Sequence, residues 1–427
     1  MKVKYIYSAC LEINCSGFKI LTDPWFTNGI YDGSWFKFPE IDPFDYIEKP
    51  DLIYISHIHP DHYDPIFLKK LMEKFGEIPI FIPDLKKNYL LFKGKFDGFN
   101  LQPKRYFKNS KVELFIEEQL TGSFSDIDSA ILVKDLKTNH VILNTNDCII
   151  NEKHFKKLKK IINSITDKLD VLALGYTGAG AYPQTYFNQE DELKILKKEA
   201  DIKKNEFFRR YKVFTDNFPA TYNIPFAGEY ILGGKLSNLN EFRGNADAFE
   251  VKAFDKNSII LKNGGIIDLT NNKVINERKS LYDKKDLLKR YNEISNIKYD
   301  YEKEIFIDSS KINFERLLKG AAKNAGKKNE IEGNYNYIFS VLEKNKSIYK
   351  RFHLKTEDST IKEIYINEKL ELKQYTEIFI DYRVLYGLLT SVYHWNNVEG
   401  GSHFKTKRVP IDFNPAALDY LNFFSIV

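Results

Sequence analysis

The sequence predicts an α/β fold, a sandwich of strands and helices, followed by a smaller α+β unit. Three observations point there. Short runs of strand-forming residues alternate with amphipathic helical segments. Several strand pairs follow one another without a helix between them, which suits a sandwich better than a doubly wound sheet. Around residues 285–310 the chain turns polar and loses periodicity, which places a boundary between units 1–295 and 296–427. With 427 residues, 43% of them apolar, the chain is long enough for two such units.

Taken in order, Tyr5 to Asp23 reads as short strands, with Phe18, Ile20 and Leu21 held between Gly17 and an Asp23-Pro24 stop. Asp51–Ser56 is a strand that ends in a histidine-rich loop. Pro65–Phe75 is a helix and Ile78–Pro83 a buried strand. Val112–Ile116, Ser129–Val133 and His140–Asn144 continue the strands, Asn151–Ile165 is helical, and Leu169–Gly175 is again a strand. Glu190–Lys212 is a basic helical stretch whose lysines suit a solvated face or, alternatively, a surface for an anionic substrate or partner. In the second unit, helices are expected near 313–323 and 336–344, and strands at Ile361–Ile366 and Tyr375–Ile380.

Composition narrows the function. Lys plus Arg is 64 and Asp plus Glu is 59, a net charge of +5, too slight for a nucleic-acid coat. Aromatic residues at 15% argue against disorder. No segment reaches the roughly 18 uninterrupted apolar residues of a membrane span, and the N-terminus shows no apolar signal region. Cys10, Cys15 and Cys148, an odd count without metal-type spacing, fit a reducing, cytoplasmic setting.

The informative segment is Ser56-His57-Ile58-His59-Pro60-Asp61-His62. Three of the chain's eight histidines and a carboxylate fall within six positions directly after a strand. A loop leaving a strand can turn all four side chains to one point. Imidazole and carboxylate are the donor set of zinc, iron or manganese. The alternative, a set of exposed turn histidines, fits poorly with such clustering. Asp147, in Asn144-Thr-Asn-Asp-Cys148 at a strand end, is a turn residue or, beside the histidine loop, a ligand suited to bridge two metals. Asp23 either orients a ligating imidazole or is a turn residue.

His-x-His-x-Asp-His resembles the signature of the metallo-β-lactamase superfamily, and Asp23-Pro24-Trp25 is common in its lactonase-like branch. Three further segments narrow the resemblance: His140–Cys148, Gly175-Tyr-Thr-Gly-Ala-Gly-Ala-Tyr-Pro-Gln-Thr185 and Ile224-Pro-Phe-Ala-Gly-Glu-Tyr230. Over roughly residues 1–250 these look like the catalytic domain of the CMP-N-acetylneuraminate and UDP-N-acetylmuramate hydroxylases. The C-terminal unit, with Tyr393-His-Trp-Asn-Asn and Lys407-Arg-Val-Pro410, is similar to a sterol-carrier-like tail. The resemblance implies a four-layer αβ/βα metallo-β-lactamase sandwich over residues 1–295, a C-terminal α+β domain over 296–427, and His57, His59, Asp61, His62 and Asp147 as metal ligands.

Three departures from that pattern bear on the chemistry. Hydrolytic members carry a further histidine where this chain reads Gly122-Ser-Phe-Ser-Asp-Ile-Asp128, and a last one where it reads Pro225-Phe-Ala-Gly-Glu229. His140 or a distant histidine would have to substitute. If His57 and His59 share a metal with Asp147, the set is two imidazoles and one carboxylate, the facial triad of non-haem Fe(II) oxygenases. The third departure is that the cysteines match neither box of a Rieske centre. Electrons would then come from a separate Rieske or ferredoxin protein, or a two-iron site would take both itself, or the chemistry is not oxidative.

Among other residues, Trp25 and Trp35 either stack on a base or sugar or anchor the core. The Gly178-Ala-Gly180 turn, beside Tyr176, Tyr182 and Gln184, either approaches substrate or serves packing. Arg243 suits a phosphate or carboxylate, or lies at the surface. His394 and His403 reach the metal only if the C-terminal unit caps the site. The expected function is an oxygenase using one or two iron ions to hydroxylate a nucleotide-activated or anionic amino sugar, with Asp61 and His62 holding a second iron or positioning a proton donor. Alternatives are a zinc or manganese hydrolase of lactonase or phosphodiesterase type, and a degenerate binding module. No nucleic-acid or membrane partner is expected.

Overall fold

A computed structural model describes residues 1–123, 126–303, 306–328, 335–412 and 415–427. Two sheets stack on each other. The first has eight strands in the spatial order Lys273–Glu277, Leu261–Asp268, Lys2–Tyr7, Cys10–Cys15, Phe18–Thr22, Leu52–Tyr54, Ile80–Ile82 and Leu101–Pro103. The second has six, Ala220–Phe226, Leu169–Gly175, Val141–Asn144, Ser129–Asp135, Val112–Glu118 and Tyr106–Lys108.

Alternation along the strands builds the layers, because successive side chains point to opposite faces. Ile131 and Val133 join Val3, Leu11 and Ile20 in a core between the sheets, together with Ile142, Val171 and Ala173. Their neighbours Ala130, Leu132, Leu143 and Leu172 point outward, onto the helices Glu152–Ile165 and Leu193–Asn217. On the outer side of the first sheet, Leu21, Ile53 and Ile80 pack on Phe67, Leu68 and Leu71 of the helix Pro65–Phe75. The result is the four-layer αβ/βα sandwich.

A five-stranded sheet lies C-terminal to it, in the order Thr360–Ile364, Ile348–Lys355, Asn336–Leu342, Tyr375–Asp381 and Lys405–Val409. Its core takes in Phe314, Leu318 and Ala322 of the helix Phe314–Lys328. Two expectations are corrected here. The helix expected near 336–344 is the strand Asn336–Leu342, in which Tyr337, Phe339 and Val341 enter this core at a period of two. The segment expected to lack periodicity contains the helix Lys284–Ile294, whose Leu287, Tyr291 and Ile294 pack against Phe36, Phe38 and Ile231. Its apolar stripe is narrow and set among lysines, so it is faint in sequence. No helix among the described residues is long and apolar enough to cross a membrane.

What positions the site is strand direction. Phe18–Thr22, Leu52–Tyr54 and Ile80–Ile82 run parallel. So do Val141–Asn144, Leu169–Gly175 and Ala220–Phe226 in the facing sheet. The loops that follow these strands bring Asp23, the His57–His62 segment and Asp147 to one edge, where open α/β sheets hold their ligands.

Candidate metal centre

The His57–His62 segment is a tight turn between a strand and a helix. His59 O accepts both His62 N–H (3.0 Å) and Tyr63 N–H (2.8 Å), which folds His62 back beside His57 with ring centroids 4.0 Å apart. The turn ends at Asp64, whose carboxylate accepts from Phe67 N at the start of the next helix (2.9 Å) and from Thr27. Upstream, Asp23 Oδ1 accepts Ser56 N–H (2.7 Å), and Oδ2 accepts from Ser56 Oγ (2.8 Å) and His62 Nδ1 (3.0 Å). A carboxylate can only accept, so Nδ1 of His62 carries a proton and Nε2 is the nitrogen turned to the cluster.

That Nε2 is buried and has no hydrogen-bond partner among the described residues. It faces Asp147 Oδ1 at 3.5 Å and Asp61 Oδ2 at 3.6 Å. The other oxygen of Asp147, Oδ2, faces His57 Nε2 at 4.0 Å. Asp147 thus presents one oxygen to each of two imidazoles. His57, His62 and Asp147 all offer donor atoms within 4.8 Å of one another. His59 joins from the side, its Nδ1 lying 2.9 Å from His57 Nε2. That separation suits two nitrogens in adjacent positions of one ion.

Charge follows the same pattern. Burial, reinforced by the charges of His62 and His59, holds the His57 pKa well below the ordinary histidine value. Burial also opposes charge on His62, but Asp147, Asp61 and Asp23 outweigh it and push its pKa well up. A field that holds a proton so firmly is one that would hold a divalent cation. The buried, unpartnered Nε2 and the two-faced Asp147 fit a metal by donor chemistry.

The sequence reading missed Asp128 as a member of this cluster. Its Oδ1 lies 3.9 Å from His57 Nε2, and burial and the charge of Asp147 push its pKa up to about 7. Asp128 closes the Gly122–Asp128 stretch in which an imidazole was sought, and a carboxylate stands at its end; residues 124 and 125 of that stretch lie outside the described residues. An acid immediately before the strand Ser129–Asp135 was the available signal.

The remaining candidates are placed as follows. His140 pairs with Asp170 (3.1 Å) at the far end of its strand and does not enter the cluster. Beside the cluster is a cavity of about 210 Å³, lined among others by Trp35, Asp61, Asp147, Gly178, Phe207, Arg210 and Tyr230. Its lining does not include Trp25, Tyr182, Gln184 or Arg243, all of which are engaged elsewhere. Trp25 is buried in the core with its Nε1 donating to Thr27 O. Tyr182 OH donates to Glu199, and Gln184 Nε2 to Gly180 O and Ser402 Oγ. Arg243 is buried, donates to Tyr230 O and lies over the Tyr230 ring. Trp35 stacks on the other side of this geometry, its ring 3.4 Å from that of Tyr230. The three cysteines are buried free thiols, and Cys148 lines the cavity beside Asp147.

Known proteins resemble this chain in the same region. Residues 2–171 match the Beta-lactamase superfamily domain. The cytidine monophosphate-N-acetylneuraminic acid hydroxylase of Xenopus laevis is 28% identical over 286 residues, 63% of this chain and 46% of that protein. The hydroxylase of the same name from Asterias rubens is 26% identical over 244 residues, 54% of this chain and 35% of its own length. The chain therefore spans less than half the length of these curated relatives. A solved structure of the CmlA beta-hydroxylase E377D mutant aligns with a TM-score of 0.38 and 15% identity, covering 53% of this chain and 45% of that one. The matched residues 2–171 carry the His57–His62 turn and Asp147, so the likeness to the beta-lactamase superfamily domain takes in both.

Proposed function

We propose that the chain is an iron-dependent oxygenase that hydroxylates a nucleotide-activated or otherwise anionic amino sugar, with the catalytic site in residues 1–295. The observation that carries this reading is the donor set. Asp61, Asp128 and Asp147 stand with His57, His59 and His62. A set with as many carboxylates as imidazoles suits iron, whereas an imidazole-rich one suits hydrolytic zinc. The likeness to hydroxylases supports it.

Iron, when bound, supplies the capacity to bind and reduce O₂. One oxygen atom enters a C–H bond of the sugar and the other leaves as water. The two electrons this requires come from a separate iron–sulfur protein, and the two protons from solvent. The chain's own residues hold and orient. Asp23 fixes the His62 ring, Asp147 links the two imidazoles, and the stacked Trp35 and Tyr230 form part of the cavity wall. Arg210 lies at the cavity lining with its guanidinium over Phe207 and suits a carboxylate or phosphate.

The test is O₂ uptake by Fe²⁺-loaded chain with a reductant and a panel of amino-sugar nucleotides and free sugar acids. Substrate-dependent uptake with a product heavier by one oxygen is expected. No uptake across the panel, with anaerobic turnover of a lactone or phosphodiester by the Zn²⁺ or Mn²⁺ form, would overturn the reading in favour of hydrolysis.

A further inference from the structure

The C-terminal unit touches the metal centre at a corner formed by the short helix Trp395–Gly400 and the residues after it. The contact falls on the loop Gly29–Ser34, which precedes the strand Trp35–Lys37. Tyr31 and Asp32 both have left-handed backbone there, φ +52° and +56°. For Tyr31, whose side chain is large, that conformation costs energy and has to be held by its surroundings.

Ser34 Oγ donates to Tyr31 O from within the turn (2.9 Å), and C-terminal residues complete the surroundings. His403 Nε2 donates to Tyr31 O (2.8 Å), and Trp35 Nε1 donates to Gly400 O (3.0 Å). Packing is close enough that a Cβ on Gly400 would come 3.0 Å from the Tyr31 ring, and one on Gly401 would come 2.8 Å from Tyr31 O. His403 is itself clamped edge-on by Tyr299 and Tyr301. Burial pushes its pKa down to about 4, so at neutral pH it is an uncharged imidazole whose Nε2 carries the proton it donates. From the same helix, Asn396 hydrogen-bonds the His59 ring.

The consequence lies at the other end of Tyr31. Its phenol donates to Asp61 Oδ1 at 2.6 Å, while Asp61 Oδ2 faces His62 Nε2 at 3.6 Å. With Oδ1 occupied by the phenol, one oxygen of Asp61 is left for the cluster. We propose that the C-terminal unit is a working part of the metal centre: the His403 corner locks the left-handed Tyr31 turn, and Tyr31 holds Asp61 so that it presents a single oxygen to the metal. Tyr31 and His403 are positioning residues in this scheme, which rests on the reading of the cluster as a metal site.

The test uses the full chain and Co²⁺ as probe, read by binding affinity and by the visible ligand-field spectrum, with far-ultraviolet circular dichroism to show that each variant folds. Tyr31→Phe removes one oxygen atom and leaves the ring; it should weaken Co²⁺ binding about 10- to 100-fold and change the spectrum as Asp61 is released. His403→Ala should do the same. The double variant should be no weaker than either single one, because both break one chain of contacts. His403→Gln, which keeps an N–H near the Nε2 position, should restore affinity and spectrum. A purely structural His403 would lower the melting temperature and leave both unchanged. Wild-type affinity and spectrum in folded Tyr31→Phe or His403→Gln and His403→Ala alike would overturn the proposal while leaving the metal reading intact. Failure of the unaltered chain to bind Co²⁺ would overturn both.

Discussion

At the scale of single residues, the centre depends on which atoms are left without partners. Asp23 holds His62 by Nδ1 and so leaves Nε2 facing Asp61 and Asp147. Asp23→Asn keeps the shape but offers an amide where His62 needs an acceptor. Metal affinity should fall about 10- to 100-fold with little loss of fold, as titration calorimetry would show. Asp32 is a different case. Burial, with the charge of Asp300, pushes its pKa up to about 7, and its Oδ2 is buried without a hydrogen bond. The folded chain then keeps a proton that the unfolded chain releases near pH 4. Stability from this group therefore falls as pH rises from about 4 to about 7, and stays low above that, by at most about 4 kcal/mol. Asp32→Asn removes the charge and tolerates the left-handed backbone. Melting curves should show it raising the Tm of metal-free protein at pH 8 and changing it little at pH 4.

At the scale of elements, the turn that carries the histidines is fixed at its far end by Asp64. That carboxylate accepts from Phe26 N, Thr27 N, Thr27 Oγ1 and Phe67 N. Asp64→Ala loses a helix cap and strands the loop amides, and should cost about 2 kcal/mol or more in urea unfolding. The cavity wall has a similar dependence on a small residue. A Cβ at Gly178 would come 1.9 Å from the Phe207 ring, so Gly178→Ala forces Phe207 to move. It should lower stability by about 1–3 kcal/mol while leaving metal stoichiometry unchanged. Elements also differ in how plainly the sequence announces them. Contiguous candidates such as His57, His59, Asp61 and His62 lie within one turn and are legible at once. Asp128 comes from the facing sheet, 66 positions beyond His62, and nothing local marks it as a neighbour of His57. The strand Asn336–Leu342 was misread because Tyr, Ile, Phe and Val in one short apolar run suit either element; its pairing with Ile348–Lys355 and Tyr375–Asp381 decides it. Arg210 lies on a helix rich in Lys and Arg, where no local pattern separates a cavity residue from a solvated one.

At the scale of the whole molecule, two sheets, a layer of helices on each outer face and a C-terminal five-stranded unit converge on one edge. The first sheet brings the His57–His62 turn and Asp23, the second brings Asp147 and Asp128, and the C-terminal unit holds Tyr31. This order was readable at the level of fold, because the alternation of Ile131, Leu132 and Val133 dictates two opposed faces. The meeting of segments distant in sequence is a property of tertiary packing and was not. Iron binding at this edge is the reading proposed above. It is tested most directly by the metal content of protein purified without oxygen and without added metal, set beside His62→Ala and Asp147→Asn prepared identically. One or two iron ions per chain are expected, lost in both variants. Zinc or manganese in place of iron, or iron retained equally by the two variants, would contradict it.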